Sequence, residues 1–192
     1  MKYFILSMIS LASHFAMAGL FAEPFVGYNS ATIKLTDLLT TTTEIKASQP
    51  SFGLKLGFRS PIGIDINLAG ETTSGQASVS SLVEKNKFTH NSASVQLGVN
   101  SLGLVKMYLG SSFLNDFTLD DSSSLQGFKL SGTAFQAGLQ FKFFPYMNLG
   151  VQCNLNQFSI ITGPAYGTDS KVETYYIKTD AQDYSIYLST SF

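Results

Sequence analysis

The last nine residues of the chain, Tyr184-Ser-Ile-Tyr-Leu-Ser-Thr-Ser-Phe192, indicate its fold. Apolar and aromatic side chains occupy one parity, namely Tyr184, Ile186, Leu188 and Phe192, and the other parity holds Asp183, Ser185, Tyr187, Ser189 and Ser191. Successive side chains of a β-strand point to opposite faces. The stretch therefore predicts a strand with one apolar face and one mostly polar face, which closes on an aromatic residue.

The same alternation recurs in seven earlier segments. They span residues 20–28, 51–59, 62–69, 93–100, 105–112, 134–143 and 147–156. In the second segment Phe52, Leu54, Leu56 and Phe58 alternate with Ser51, Gly53, Lys55, Gly57 and Arg59. A dyad repeat in segments of about ten residues, with one face apolar and the other rich in Gly, Ser, Asn and Gln, is typical of transmembrane barrels.

The connections between these segments alternate in length. Short turns at 60–61, 100–103 and 144–146 alternate with polar links at about 30–50, 70–90, 114–131 and 159–180. In hydrocarbon an open sheet edge would leave backbone groups unpaired, so the first strand must pair with the last. The sequence predicts an all-β fold, a closed antiparallel eight-stranded transmembrane β-barrel with an up-and-down meander. Pro24 lacks an N–H group, so we expect a bulge or a broken ladder bond there.

The first 18 residues have the character of a secretory signal peptide. Lys2 supplies a short positive region, an apolar run follows, and Ala16-Met17-Ala18 fits the small-x-small cleavage pattern. The apolar run is too short to cross about 30 Å of hydrocarbon. We therefore expect residues 1–18 to be cleaved on export and residues 19–192 to form the barrel domain.

The whole region from residue 19 resembles the small eight-stranded outer-membrane β-barrels of Gram-negative bacteria, the group of the OmpA membrane domain and the OmpX- and OmpW-type proteins. The resemblance implies an integral outer-membrane protein with extracellular long loops, periplasmic termini and no cofactor. It implies contact with outer-membrane lipid and lipopolysaccharide, and it implies a monomer. It also implies that periplasmic chaperones and the barrel-insertion machinery assemble the protein, with Tyr184, Ile186, Leu188 and Phe192 as the assembly signal.

Composition excludes several other classes of function. Charged residues make up 13% of the chain and the formal net charge is −1, so no basic face for nucleic acid is visible. The single cysteine, Cys153, can form neither an internal disulfide nor a cysteine-based zinc site. It is better explained as a small lipid-facing residue.

The inward parity of the strands carries four acids and four bases: Glu23, Lys55, Arg59, Asp65, Glu71, Lys106, Lys142 and Asp183. An eight-stranded barrel is just wide enough for side chains to fill it. Balanced inward charges therefore predict a pairing network that plugs the lumen. The alternative is a narrow channel for small or hydrophobic solutes.

One feature suggests catalysis. His90 and Ser92 share a strand face, and a His-x-Ser pair resembles the lipid A deacylases of the outer membrane. That family also uses an acidic residue about a dozen positions on, where this chain has Leu102. We therefore predict a structural or surface-interaction role and no enzymatic activity, with a lipid A-modifying enzyme as the distant alternative.

Deletion of Phe192 should reduce assembly in cells far more than it reduces spontaneous refolding in detergent. In detergent, the deletion removes only one lipid-facing side chain from a complete barrel. In cells, it also removes the terminal aromatic residue of the expected assembly signal. Heat-dependent gel mobility measures the folded fraction in both settings. Equal losses in the two assays would mean that Phe192 contributes only to stability.

Overall fold

The computed structural model describes residues 19–80, 85–101, 103–119 and 127–192, and these ranges are almost entirely β-structure. The strands are β1 (Gly19–Asp37), β2 (Thr42–Arg59), β3 (Ile64–Val79), β4 (Lys85–Ser101), β5 (Val105–Leu119), β6 (Phe128–Phe144), β7 (Met147–Gly163), β8 (Gly167–Lys171) and β9 (Tyr176–Thr190). A short 3-10 helix, Val172–Thr174, precedes β9. Within the described ranges, no helix has the length and apolarity needed to cross a membrane. The expected signal peptide lies outside these ranges.

Eight of the strands form a closed antiparallel ring. Each strand from β1 to β7 pairs with its neighbour in the chain, β7 pairs with β9, and β9 pairs with β1. The predicted up-and-down barrel is therefore confirmed. Gly19, Phe192 and the tight turns lie at one end of the barrel, which we call the terminal end. The opposite end, which we call the loop end, also carries the short strand β8 against β7.

The ladder that closes the ring is interrupted at Pro24 without a change of register. Phe25 pairs with Ser189, and below the interruption Ala22 and Phe192 exchange two backbone hydrogen bonds of 3.3 and 3.0 Å. Both contacts follow the same register. Of the two expected outcomes, the broken bond occurs and the bulge does not.

The two faces of the strands near the terminal end match the predicted alternation. Outward side chains such as Leu56, Leu97 and Ile186 are exposed, whereas the neighbouring inward side chains Lys55 and Gln96 are buried. Outward aliphatic and aromatic residues of all eight ring strands form an apolar belt around this part of the barrel. A surface of that kind suits hydrocarbon, and a polar interior is its counterpart in transmembrane barrels.

The predicted polar links are largely wrong, because most of their residues extend the strands. A turn at residues 38–41 joins β1 to β2, where the sequence suggested a link of about 30–50. In this extension the polarity of the faces inverts: Ile33 and Leu35 are buried inside, and Thr32 and Lys34 face outward. The barrel therefore continues beyond the apolar belt with the inside-apolar pattern of a water-soluble barrel.

Two bulges keep apolar residues inside as the strands leave the belt. On β5, Ser112 pairs with Ser94 and Leu114 pairs with Ala93, so Phe113 is an extra residue that shifts the parity. The next inward residues of β5 are Asn115, Phe117 and Leu119, all buried. A second shift on β7 lies between Phe158 and Ile160. Without such shifts the inward set of these strands would turn outward.

The apolar belt predicts that a charge added on the outward face of β3 destabilises the barrel within the belt and not beyond it. Leu68→Arg on β3 should cost roughly 2–4 kcal/mol, because it places a charge against hydrocarbon. Ser74→Arg is the matched control, since Ser74 lies on the same strand and face but beyond the belt. Urea titrations of protein refolded in lipid vesicles measure both changes. Equal losses at the two positions would contradict the limits of the belt.

Candidate functional site

An ion-pair cluster lies inside the barrel near the terminal end. Arg59 Nε and Nη2 donate to the two carboxylate oxygens of Asp65 at 2.8 and 2.9 Å. Asp65 has no exposed surface, and Lys106 Nζ lies 3.0 Å from its Oδ2 as an ion pair without the alignment of a hydrogen bond. Arg59 and Asp65 are ladder partners on β2 and β3, so the turn between the strands brings them together. The ring of Phe21 lies against both cations, with its centroid 5.3 Å from Arg59 Cζ and 5.0 Å from Lys106 Nζ.

Lys55 occupies the centre of the lumen and is only 1% exposed. Its Nζ donates to the Tyr187 hydroxyl at 2.9 Å and lies 4.0 Å from Glu23 Oε1. The same ammonium group lies 4.5 and 4.4 Å from the ring centroids of Tyr108 and Tyr187, and 5.4 Å from that of Phe25. The three rings and Glu23 together replace the water shell that this cation loses on burial.

Glycines on the neighbouring strands make room for two of these rings. Gly138 is the ladder partner of Tyr108, and Gly150 is the ladder partner of Tyr187. A Cβ atom added at Gly138 or Gly150 would lie 2.3 or 2.1 Å from the tyrosine ring. The rings can therefore lie flat across the lumen only because their partners have no side chain. The Tyr108 hydroxyl donates to Gln152 at 2.7 Å and lies 3.0 Å from that of Tyr187.

Asp183 lies in a separate layer of side-chain amides. Asn29 and Asn154 donate to its Oδ1 at 3.1 and 2.6 Å, and Asn156 donates to its Oδ2 at 2.8 Å. The Asn115 amide nitrogen donates to Asn156 Oδ1 at 2.9 Å, so Asn115 Oδ1, which lies 2.7 Å from His90 Nε2, accepts a hydrogen bond from the histidine N–H. Among the described residues, hydrogen bonds from amides and no ion pair with a basic side chain stabilise this buried carboxylate.

Above the amide layer, the lumen at the loop end is filled by an apolar core. Its buried members are Ala31, Ile33, Leu35, Ile45, Ala47, Ala77, Val79, Phe88, Phe117, Leu119, Phe128, Leu130, Phe158, Ile161, Val172 and Ala181. Phe88 and Phe117 stack with ring centroids 5.3 Å apart, and Tyr166, Tyr175 and Tyr176 pack against the core. The sequence interpretation missed this core. The sequence feature that could have revealed this core is an alternation in which apolar residues such as Ala31, Ile33 and Leu35 occupy the opposite parity from the residues of the belt.

The structure separates the eight inward charges of the predicted network into groups. Glu23, Lys55, Arg59, Asp65 and Lys106 come together near the terminal end, whereas Asp183 has amide partners. Glu71 is half-buried, and its Oε1 has no hydrogen-bond partner among the described residues. Lys142 lies apart from the other inward charges. It is exposed at the rim of a cavity of about 50 Å³ at the terminal end and takes part in none of the ion pairs of the described ranges.

The remaining sequence candidates have simpler placements. His90 and Ser92 both face the lumen, and Leu102 lies outside the described residues. The described ranges hold no cluster of His, Cys, Asp and Glu that could bind a metal ion. The outward residues Tyr184, Ile186, Leu188 and Phe192 are exposed, and their role as an assembly signal stays a prediction.

Comparison with known proteins identifies the fold. No protein-family model matches the sequence, and no curated protein matches it significantly. Among solved structures, Ail, the attachment invasion locus protein of Yersinia pestis, in complex with the heparin analogue sucrose octasulfate, matches with a TM-score of 0.57 and 14% identity over 90% of this chain and 99% of that chain. Neisserial surface protein A matches with a TM-score of 0.51 and 16% identity over 91% and 99% of the two chains.

The outer membrane protein OprG from Pseudomonas aeruginosa matches with a TM-score of 0.53 and 16% identity over 91% of this chain and 96% of that chain. At such identities the likeness concerns the fold alone. The chain has the fold of the small outer-membrane β-barrels, as the sequence predicted.

The ion-pair cluster predicts an unequal rescue. Asp65→Asn should destabilise the barrel by about 3–5 kcal/mol, because it leaves two cations without their carboxylate. Adding Lys106→Gln should recover more of this loss than adding Arg59→Gln. Lys106 is 5% exposed, whereas Arg59 is 24% exposed and can be hydrated at the terminal mouth. Urea unfolding in lipid vesicles compares the three variants, and a larger recovery with Arg59→Gln would contradict the assignment.

Proposed function

We propose that the chain is an integral outer-membrane protein with a closed lumen and a structural or surface-interaction role in the bacterial envelope. The observation that carries this proposal is that side chains of different chemical character fill the lumen at successive heights. The aromatic and ionic layer around Lys55 closes the centre, and the apolar core around Phe117 closes the loop end. A solute would have to break both layers to cross.

The orientation of the barrel is part of this proposal. We place the loop end outside the cell and both termini in the periplasm. Barrels of this class have short periplasmic turns and longer extracellular extensions, and the strands here continue beyond the belt only at the loop end. The expected signal peptide would deliver the chain to the periplasm, where chaperones and the insertion machinery would assemble a monomer from the exposed closing strand.

A contact surface at the loop end supports the interaction role. The turn between β1 and β2 presents Leu38 and Leu39, which are 66% and 84% exposed. Asp37 Oδ1 accepts hydrogen bonds from the backbone N–H groups of Leu39 and Thr41, both at 2.9 Å. The turn is therefore held in one conformation while it exposes two apolar side chains, a combination that suits a recognition surface.

We propose no catalytic role, because the only histidine of the barrel domain donates to Asn115 within the lumen. The channel alternative has one observation in its favour. A polar cavity lined by Glu23, Arg59 and Lys106 reaches into the terminal end of the barrel. Conductance measurements distinguish a cavity that ends inside the barrel from a channel that passes through it.

The wild-type protein should show no steady conductance in planar bilayers. The double variants Tyr108→Ala/Tyr187→Ala and Phe88→Ala/Phe117→Ala should each stay closed, since each leaves the other layer intact. The quadruple variant should leak. Heat-dependent gel mobility checks that every variant is folded. Large, stable currents from the wild-type protein would overturn the closed lumen and favour the channel.

A further inference from the structure

Two residues that line the small cavity at the terminal end each carry a buried polar atom without a hydrogen-bond partner. The atoms are Lys106 Nζ and Gln140 Oε1, on residues that are 5% and 3% exposed, and neither takes part in a hydrogen bond among the described residues. The ammonium group can only donate, and the amide oxygen can only accept. A buried polar atom that stays unpaired costs free energy. The two atoms therefore suit a ligand that both accepts and donates a hydrogen bond.

The hydrogen bonds of Gln140 fix which end of its amide is the acceptor. Its Nε2 donates to Glu23 Oε1 at 2.6 Å and to Ser189 Oγ at 2.9 Å. An ionised carboxylate only accepts, so the amide atom that contacts Glu23 must be the nitrogen. The unpaired atom is therefore the oxygen, and the cavity has a fixed acceptor.

Positive charge exceeds negative charge around the cavity. Among the described lining residues, Arg59, Lys106 and Lys142 are cations and Glu23 is the one carboxylate. Arg59 and Lys106 share Asp65, which does not line the cavity. Lys142 lies exposed at the rim and belongs to none of the ion pairs of the described ranges. One carboxylate therefore serves two cations, and a third cation has none.

The other acids of the described ranges do not offset this excess. Glu23 faces Lys55, whose Nζ is 4.0 Å from its Oε1, deeper in the lumen. Glu71 and Asp183 lie beyond Lys55, towards the loop end. The ion pairs of these ranges do not include the terminal carboxylate of Phe192.

The undescribed residues that adjoin this end of the barrel in the sequence add no acid. They are residues 1–18, which contain neither Asp nor Glu, and Leu102. Two units of positive charge therefore remain around the cavity, one from the pair that shares Asp65 and one from Lys142.

The size of the cavity limits the ligand. Its volume is about 50 Å³. At about 10–15 Å³ for each water molecule, this is room for roughly three to five waters. A sugar or a peptide is too large, whereas an ion with four oxygen atoms around one centre fits.

We propose that this cavity binds hydrogen phosphate. The unprotonated oxygens of the ion accept hydrogen bonds from Lys106 Nζ and Lys142 Nζ. Arg59 Nη1, which is not used for Asp65, donates to the ion as well. The O–H group of the ion donates to Gln140 Oε1. The two negative charges match the excess of positive charge, whereas a water molecule could pair with both buried atoms but would leave that charge uncompensated.

Related anions lack part of this match. Sulfate is a dianion of the same shape but has no O–H group at neutral pH. A phosphodiester, as in a phospholipid head group, has one charge and no O–H group. Binding requires neither the closed lumen nor the proposed orientation, which would only make the periplasm the source of the ion.

Titration calorimetry in phosphate-free buffer tests the site, with protein refolded in neutral detergent micelles. Inorganic phosphate should bind saturably, with a dissociation constant below about 1 mM. Sulfate and dimethyl phosphate should each bind about tenfold more weakly or less, because neither can donate a hydrogen bond to Gln140 Oε1.

A pair of lysine variants locates the binding. Lys142→Gln should weaken phosphate binding about tenfold, since it removes one charged donor from the rim. Lys129→Gln is the matched control, because Lys129 is a partly exposed strand lysine at the loop end, where it pairs with Asp116 at 2.8 Å. This control should bind phosphate as the wild type does. Heat-dependent gel mobility verifies that both variants are folded.

Three results would overturn the inference. Absence of phosphate binding would mean that water fills the cavity. Equal affinities for phosphate and sulfate would mean that Gln140 does not select the ion. Equal affinities of the two lysine variants for phosphate would mean that binding does not take place at this cavity.

Discussion

The requirement that every backbone N–H and C=O within hydrocarbon find a partner determines the rest of this structure. It forces the pairing of β1 with β9, and eight strands then enclose a space only as wide as a few side chains. Polar residues that face this space cannot be hydrated freely, so many of them hydrogen-bond or form ion pairs with one another. The rings beside Gly138 and Gly150, the shared carboxylate of Asp65 and the amide layer around Asp183 are three solutions to that single constraint.

The lumen uses two ways of stabilising a buried charge. Asp65 is neutralised by cations, whereas Asp183 accepts hydrogen bonds from three asparagines. Hydrogen bonds to a carboxylate are stronger than those between neutral groups, so amides can hold a charge where no base is near. This explains why inward acids and bases need not balance at each height. It also explains why a barrel can share its fold with others at 14–16% identity, since many sets of side chains meet the same demand.

The sequence predicted the ring and the belt because both depend on a period of two, which is visible in single strands such as that of Leu54 and Leu56. It did not predict the partners of the inward charges. Parity assigns Asp183 and Lys142 to a face, but the neighbour across the lumen depends on the stagger of distant strands. The strand extensions were missed for another reason. The polarity of the alternation inverts near Ala31, and bulges at Phe113 and Ser159 shift its phase, so a polar link and an extended strand look alike.

The turn that carries Leu38 and Leu39 stands on the apolar core, and this gives the molecule a mechanical property. Surface loops are generally more mobile than the elements they connect. Here two paired strands, packed from inside by Ile33, Leu35 and Ile45, hold the turn at a fixed distance. A peptide grafted at residue 40 would inherit that rigidity. The extended barrel is therefore a rigid scaffold, suited to presenting a foreign epitope at constant height and orientation.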